Sequence, residues 1–302
     1  MSTLELIKQL REITQAGMKD CKDALTETNN DLEKAIDLIK VRGKNIVSAR
    51  AGRVAAEGLV EVSPVPYTNA MAMLEINCQT DFVARSEQFK AAAKIVMQSL
   101  LAATVLNKEF DVNDPLVSAA VESIVSTTKE NVVIRRWWVE EVIDPSAQVF
   151  NYVHPGSQLG VILTLKAPAV EAASDPRFVA LGNDLAMQVA AMAPIAISSD
   201  HLPEDIKVRQ QAIFETQLIE AGKPQAAWPK ILVGKFNKWY TESCLLDQES
   251  VVVPKTSVRE VVAQVGKELG GEIIVATMIR CQVGEGLVKE KTDLADEVAK
   301  LI

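Results

Sequence analysis

The amino-acid sequence predicts an α+β protein that begins with a helical domain and continues as two related lobes of strands and helices. Three observations support this fold class. Apolar residues have helical spacing over the first 43 positions, a strand–strand–helix order occurs twice, and two helical segments are joined by a Gly-Lys-Pro turn. With 302 residues, of which 48% are hydrophobic and 24% charged, the chain can bury more than one core.

Residues 1–55 are expected to form a three-helix domain that ends in a basic linker. Three stripes of apolar residues recur at helical spacing, and Gly43 is expected to end the third helix. The stripes are Leu4, Ile7 and Leu10; Met18, Cys21, Ala24 and Leu25; and Leu32, Ala35, Ile36 and Ile39. Residues 40–53 carry five basic side chains and no acidic one, which is typical either of a solvated linker helix or of a local contact with nucleic acid or phosphate.

Residues 56–145 are expected to form the first lobe. Short runs rich in Val, Leu, Ile and Met at 58–63 and 70–78 predict two strands, because they flank a turn that contains two prolines and an asparagine. A helix is predicted from about Ser86. A second helix at 117–129 and an extended segment at 132–142 complete this lobe.

Residues 146–284 are expected to form the second lobe, which repeats the order of the first. Extended runs at 149–153 and 158–165 are followed by a helix from about Asp175, and later by a helix at 257–269 and a strand at 272–283. Since the order and spacing match those of the first lobe, we predict that the two lobes are related. Residues 285–302 are expected to form a short C-terminal helical module.

A helical hairpin at about 203–241 is predicted as an insertion in the second lobe. Helical segments at 203–220 and 225–240 are joined by Ala221-Gly222-Lys223-Pro224, a combination that ends helices. A stripe along the second arm has near-heptad spacing and consists of Trp228, Leu232, Phe236 and Trp239. Such a stripe indicates either packing between the two arms or a contact in a homodimer.

Composition argues against several classes of function. The net charge of −8 and the aromatic content of 5% are unlike those of a protein that coats nucleic acid. The longest uncharged run, at 145–165, contains Asn, His, Pro, Gly and Gln, so no membrane span is predicted. Residues 1–8 contain no uninterrupted apolar stretch, so no signal peptide is predicted. Four scattered cysteines without a Cys-x-x-Cys pair fit a reducing cytoplasm and give no zinc motif.

Motifs of enzyme chemistry are missing from the sequence. It has no Walker loop, no dinucleotide fingerprint, no His-Glu-x-x-His and no Gly-x-Ser-x-Gly, so no cofactor, metal or catalytic residue is predicted. An enzyme that uses Cys78, Asp81 and His154 stays open as an alternative, although His154 beside a Pro-Gly turn is more typical of a surface contact.

One segment, residues 77–85, does not fit an ordinary loop. It lies between a predicted strand and a predicted helix, yet Phe82-Val83-Ala84 places apolar residues between Asp81 and Arg85. Either Phe82 folds back under the helix, or it is exposed for contact with a partner.

The same segment carries a resemblance to a known family. Thr80-Asp81-Phe82-Val83-Ala84-Arg85 resembles the Thr-Asp-Phe-Val-Ala-Lys/Arg signature of elongation factor Ts, and residues 10–25 resemble the first-domain motif of that family. Further matches follow in family order at 131–136, 186–191, 222–224, 255–258 and 283–286. Seven ordered segments make a chance match untenable.

The resemblance implies a guanine-nucleotide exchange factor for the translational GTPase elongation factor Tu. It implies a ubiquitin-associated-like N-terminal domain, two α+β subdomains with an inserted helical hairpin, and a C-terminal helix that clasps the GTPase domain. Thr80, Asp81, Phe82 and Val83 would then form a wedge, meaning a segment that inserts into the partner near its Mg²⁺ site. Such a protein itself binds neither Mg²⁺ nor nucleotide.

The resemblance also implies docking residues and shows departures from the family pattern. Residues that match Arg11, Met18 and His154 contact elongation factor Tu in the family. The departures are Lys19 where a second Met is common, the pair Trp137-Trp138, and an extra Pro155 beside His154. A ubiquitin-associated-like adaptor for other partners is the alternative from a different class of function.

Overall fold

The computed structural model describes residues 3–14, 16–50 and 52–287, and it has the α+β architecture that the sequence predicts. The N-terminal domain contains three helices: α1 (Thr3–Thr14), α2 (Met18–Glu27) and α3 (Leu32–Arg50). Their shared core consists of Ile7, Leu10, Ala16, Cys21, Ala24, Leu25, Ala35 and Ile39. Most residues of the predicted apolar stripes therefore meet in one small core, whereas Leu4 and Met18 are exposed on its surface.

The third helix runs past the glycine that was expected to end it. The backbone of α3 stays helical through Gly43 to Arg50, so the predicted stop is wrong. A glycine inside a helix costs only about 1 kcal/mol relative to alanine. A helix of 19 residues tolerates that cost when no proline follows.

The first lobe contains an antiparallel sheet in the order β1-β2-β3. Its strands are β1 (Glu57–Pro64), β2 (Ala70–Cys78) and β3 (Val133–Glu141), and its helices are α4 (Asp81–Arg85), α5 (Glu87–Val105) and α6 (Pro115–Thr128). One face of the sheet packs on α5 and α6, where Leu74, Ile76 and Phe89 are completely buried. The central strand β2 is buried along its whole length.

The second lobe has the same topology. Its strands β4 (Ala147–Val153), β5 (Leu159–Lys166) and β6 (Ile274–Gln282) are antiparallel in the order β4-β5-β6. The helices α7 (Pro176–Met192) and α10 (Val258–Glu268) cover one face, and Phe178 is completely buried beneath them. Both central strands have a register shift, at Glu75/Ile76 in β2 and at Thr164/Leu165 in β5. The two lobes are thus built alike.

The two sheets pack on each other through their remaining faces. Val60, Met73, Ile162 and Cys281 are fully buried between them. A Cβ atom added at Gly160 would lie 2.5 Å from Cγ1 of Val60, so this position of β5 has room only for glycine. Close contact of this kind joins the lobes over an apolar surface.

Two buried or half-buried carboxylates add polar links between the lobes. Glu75 in β2 accepts hydrogen bonds from Arg135, Arg136 and the Cys281 thiol, and from the backbone N–H of Gly284 at 2.8 Å. Burial raises the pKa of Glu75, but the Gly284 N–H and the two guanidinium groups outweigh burial, so the pKa is lowered overall. Glu140 in β3 accepts from Thr164 at 3.0 Å and from Thr277 at 2.7 Å.

The predicted hairpin is formed by α8 (Glu204–Glu220) and α9 (Trp228–Ser243). Phe236 meets Phe214 edge-on, with 5.3 Å between the ring centroids, and Phe214 and Leu218 are buried between the arms. Packing between the arms therefore accounts for Phe236. A homodimer through this hairpin stays a prediction.

Two further sequence predictions concern the C-terminal residues and membrane-spanning helices. Residues 283–286 form a turn after β6. Of the C-terminal helical module expected at 285–302, residues 288–302 lie outside the described residues. No helix within the described ranges is both long and apolar enough to cross a membrane.

Candidate partner-binding site

The unexplained apolar residues of the segment 77–85 lie in a short helix, α4 (Asp81–Arg85). Thr80 has extended backbone angles, and its hydroxyl accepts a hydrogen bond from the Val83 N–H, which is the geometry of an N-cap. Ser86 ends α4 and also begins α5, because its hydroxyl accepts from the Phe89 N–H at 3.2 Å. Two caps six residues apart in the sequence therefore define this five-residue helix.

Helix α4 exposes one large aromatic side chain. Phe82 is 83% exposed, whereas Val83 packs against the core of the first lobe and Ala84 is buried. The alternative that Phe82 folds back under the helix is therefore wrong. On either side, Asp81 and Arg85 form an ion pair of 3.1 Å across one turn of the helix.

Exposure alone does not mark a site, since single apolar side chains on a surface are common. Tyr67, in the turn between β1 and β2, is 100% exposed. What distinguishes Phe82 is the number of contacts that fix its helix. Glu130 accepts hydrogen bonds from the Gln79 and Thr80 N–H groups at 3.1 and 3.0 Å, and from the Thr80 hydroxyl at 2.7 Å. The Cys78 thiol donates to the Thr80 carbonyl at 3.2 Å.

The enzyme alternative loses its nucleophile in this geometry. Cys78 is fully buried, and burial, reinforced by the Glu130 and Glu57 carboxylates, raises the pKa of its thiol to about 12. A thiol is a nucleophile only as the thiolate. His154 is exposed, and its Nδ1 lies 3.1 Å from the Tyr152 hydroxyl. In the described parts of the chain, no group of three or more His, Cys, Asp or Glu residues is arranged to hold a metal ion.

The turn that carries His154 lies against the first lobe. The Val60 N–H donates to the Ser157 carbonyl at 2.7 Å, and the Gln158 amide donates to the Gly58 carbonyl at 2.8 Å. A cleft of about 640 Å³ separates this turn from α4. Its lining includes Asp81, Ala84, Arg85, Pro155, Gly156, Ser157 and Gln158. The extra Pro155 is thus one wall of a cleft whose other wall is the helix of Phe82.

The N-terminal domain is tied to the same region. Met18, at the start of α2, is 59% exposed, and Arg11 and Lys19 are exposed as well. Asp20, in the first turn of α2, forms an ion pair of 3.0 Å with Lys129. Lys129 directly precedes Glu130, so adjacent residues contact α2 on one side and the Thr80 cap on the other.

Two contacts of this region could not be predicted from the spacing of motifs in the sequence. Glu130 contacts Thr80 across 50 residues of chain, and no local pattern in the sequence links them. The unusual Trp137-Trp138 pair serves packing: Trp137 meets Phe110 edge-on at 5.1 Å, and the Arg136 guanidinium lies 5.2 Å from the Trp138 ring.

The fold and the exposed α4 helix define a two-lobed α+β protein with an N-terminal three-helix domain and an inserted helical hairpin. A family model described as Elongation factor TS matches residues 79–285, which is more than half of the chain. The chain belongs to the elongation factor Ts family, whose members act in translation elongation.

Full-length relatives agree with this assignment. The chain is 34% identical to elongation factor Ts of Clostridium perfringens (strain SM101 / Type A), over 100% of the chain and 99% of the relative. It is 36% identical to elongation factor Ts of Clostridioides difficile (strain 630), over 99% and 98%. It is 38% identical to elongation factor Ts of Sphingopyxis alaskensis (strain DSM 13593 / LMG 18877 / RB2256), over 98% and 97%.

Proposed function

We propose that this protein is the guanine-nucleotide exchange factor of a cytoplasmic elongation factor Tu, and that it acts without performing chemistry itself. It binds the GDP form of elongation factor Tu, distorts the Mg²⁺ and phosphate site of that partner, and promotes GDP release so that GTP can bind. The observation that carries the proposal is Phe82, an almost fully exposed aromatic side chain on a helix fixed at both ends.

Thermodynamic linkage explains how such a helix can release a nucleotide that it does not touch. A GTPase of this type holds GDP through backbone N–H groups, a lysine and a bridging Mg²⁺. A factor that binds better to the distorted form of that site shifts the partner toward this form. By reciprocity, the exchange protein lowers the affinity of its partner for GDP by the same ratio as GDP lowers the affinity of the partner for the exchange protein.

In this proposal the wedge consists of Thr80, Asp81, Phe82 and Val83, and these residues share three tasks. Phe82 inserts between elements of the partner near its Mg²⁺ site. Asp81 places a carboxylate beside it, and Thr80 and Val83 hold the helix on the first lobe through the cap hydrogen bond and packing. An exposed aromatic anchor suits this task, because such residues dominate the energy of protein interfaces.

The docking surface of the proposal extends over the whole molecule. Residues 1–55 dock on the partner through Arg11 and Met18, and residues 56–145 carry the wedge. Residues 146–284 contribute His154 and contact a second domain of elongation factor Tu. The C-terminal module at 285–302 adds a further contact. Because the affinity for elongation factor Tu is spread over these surfaces, Phe82 acts mainly on the rate of GDP release and less on the affinity.

The test is the release of fluorescently labelled GDP from elongation factor Tu in a stopped-flow instrument. We expect Phe82→Ala to slow release about thirtyfold, because an interface anchor contributes roughly 2 kcal/mol and each ~1.4 kcal/mol is tenfold. Asp81→Asn should have a smaller effect, since it removes a charge but keeps the shape of the helix.

Tyr67→Ala is the matched control, because Tyr67 is an exposed aromatic residue of the same lobe at the opposite end of β2. It should leave the release rate unchanged. A normal release rate with Phe82→Ala, or equal losses with both variants, would contradict the proposal.

A further inference from the structure

We infer that Glu130 is a positioning residue of the exchange reaction: it fixes the N-terminal end of α4 and thereby the direction in which Phe82 leaves the surface. The inference rests on the proposed function and adds a residue to it. Glu130 lies outside the Thr80–Val83 wedge and 50 residues further along the chain.

The first argument is the hydrogen-bond geometry. Both carboxylate oxygens of Glu130 are used: Oε2 accepts from the Gln79 and Thr80 N–H groups, and Oε1 accepts from the Thr80 hydroxyl. These two N–H groups belong to the turn that leads from β2 into α4. A helix of five residues has little stability of its own, because isolated helices shorter than about 12 residues are marginal in water. The orientation of α4 therefore depends on such anchors.

The second argument is the way Glu130 is itself held. The preceding residue, Lys129, ends α6 with a left-handed backbone at φ 60°, and this turns the chain away from the helix axis toward β3. The Asn131 N–H donates to the Gln79 side chain at 2.9 Å, and the Asn131 amide donates to the Arg53 carbonyl at 2.7 Å. Glu130 thus sits on a segment with contacts on both sides, and its carboxylate has a fixed place.

The third argument concerns which parameter of exchange should respond. Phe82 and Glu130 point to different surroundings: Phe82 is exposed, whereas Glu130 is half-buried beneath the Thr80 turn. A residue that only positions the wedge changes the fraction of complexes in which Phe82 is correctly directed. It should lower the maximal rate of GDP release and leave the affinity for elongation factor Tu nearly unchanged.

The test measures labelled GDP release from elongation factor Tu over a range of concentrations of the full chain. We expect Glu130→Ala to lower the plateau rate about tenfold, equivalent to ~1.4 kcal/mol. The half-saturating concentration should stay within about threefold of the wild-type value. Glu130→Gln should recover part of the plateau, because its amide oxygen still accepts from the backbone and its NH₂ group can donate to Thr80. Glu122→Ala, on α6, is the control and should leave both parameters unchanged.

A double-mutant cycle separates positioning from general destabilisation. If Glu130 acts through Phe82, the double variant Phe82→Ala/Glu130→Ala should be no slower than Phe82→Ala alone, within about twofold. Multiplicative losses, or a wild-type plateau for Glu130→Ala, would overturn the inference. If Glu130→Ala melts below the assay temperature, Glu130→Gln carries the test: a lowered plateau supports the inference and an unchanged plateau overturns it.

The same data distinguish failure of the inference from failure of the proposed function. Loss of the plateau with Phe82→Ala but not with Glu130→Ala removes only the role of Glu130. An unchanged plateau with Phe82→Ala removes the wedge itself.

Discussion

The two lobes share one topology but differ in the segment that joins the central strand to the first long helix. After β2, the first lobe forms α4 and exposes Phe82. After β5, the second lobe forms a single 3-10 turn at Glu171–Ser174, in which Ala173 is buried. The aromatic residue of the next helix is completely buried in both lobes, as Phe89 in α5 and Phe178 in α7.

The difference shows how an exposed element can be added to a fold without altering its core. The buried aromatic residues hold helix to sheet in the same way in each lobe, so the connection between them is free to vary. In the first lobe that connection is capped by Thr80 and Ser86 and fixed by Glu130. In the second lobe it only closes the core. The same arrangement of sheet and helix therefore supports both lobes, and only the connection in the first lobe carries an exposed helix with Phe82.

The largest expected effect tests this division between support and site. Phe89→Ala and Phe178→Ala should each lower the free energy of unfolding by ~3–5 kcal/mol, because both truncations leave a cavity in a closed core. Phe82→Ala should change it by less than about 0.5 kcal/mol, because an exposed side chain loses little on truncation. Urea denaturation followed by circular dichroism measures all three variants. A loss for Phe82→Ala as large as that for Phe89→Ala would remove the distinction.

Much of the fold was predictable because it depends on local pattern. The run at 70–78 coincides with β2 (Ala70–Cys78), and the helices predicted from about Ser86 and Asp175 are α5 and α7. Turns with proline or glycine separate these elements and indicate where each one ends. Gly43 misled the prediction, because a glycine weakens a helix by less than the rest of α3 stabilises it.

The candidate site was predictable only in part. The apolar residues at 82–84 marked the segment as unusual, and the family resemblance suggested a use for them. A helix of five residues is too short to show a period, so α4 itself could not be predicted. The exposure of Phe82 depends on which side of α4 packs on the lobe, and the anchor at Glu130 depends on folding across 50 residues. Both are properties of tertiary structure.

A middle-sized effect is expected from the buried thiols, which are present in both lobes. Burial raises the pKa of Cys78 in the first lobe to about 12, and that of Cys281 in the second lobe, where Glu75 adds to the effect, also to about 12. An unfolded thiol ionises near pH 8.5. Above this pH the unfolded chain therefore loses protons that the folded chain keeps, and stability falls as pH rises toward 12.

Each thiol contributes at most about 1.4 kcal/mol per pH unit to this fall. We expect the free energy of unfolding, measured in urea between pH 8 and pH 10.5, to fall less steeply for Cys78→Ala and for Cys281→Ala than for the wild-type chain. Equal reductions in slope would mean that the two lobes exclude water equally well at these positions. A slope that neither substitution changes would show that the thiols ionise in the folded protein.

The smallest expected effect separates two neighbouring residues of the first lobe. Lys129 pairs with Asp20 across the contact to the N-terminal domain, but both side chains are about two-fifths exposed, at 41% and 42%. Such a pair contributes about 0–1 kcal/mol and is weakened by salt. Lys129→Asn removes the charge and keeps the backbone, because asparagine tolerates the left-handed φ of 60°. The orientation of α2, and with it the proposed docking of Met18 on elongation factor Tu, should then become less well defined.

We therefore expect Lys129→Asn to weaken the affinity for elongation factor Tu about twofold to threefold, equivalent to ~0.5 kcal/mol, with an unchanged plateau rate of GDP release. The difference from wild type should disappear at high salt, where the ion pair no longer contributes. Lys108→Asn, which removes an exposed lysine beyond α5, controls for net charge. Glu130→Ala should do the opposite, lowering the plateau while affinity is kept. If both substitutions changed the same parameter, residues 129 and 130 would act together. Docking of the N-terminal domain could then not be separated from positioning of Phe82.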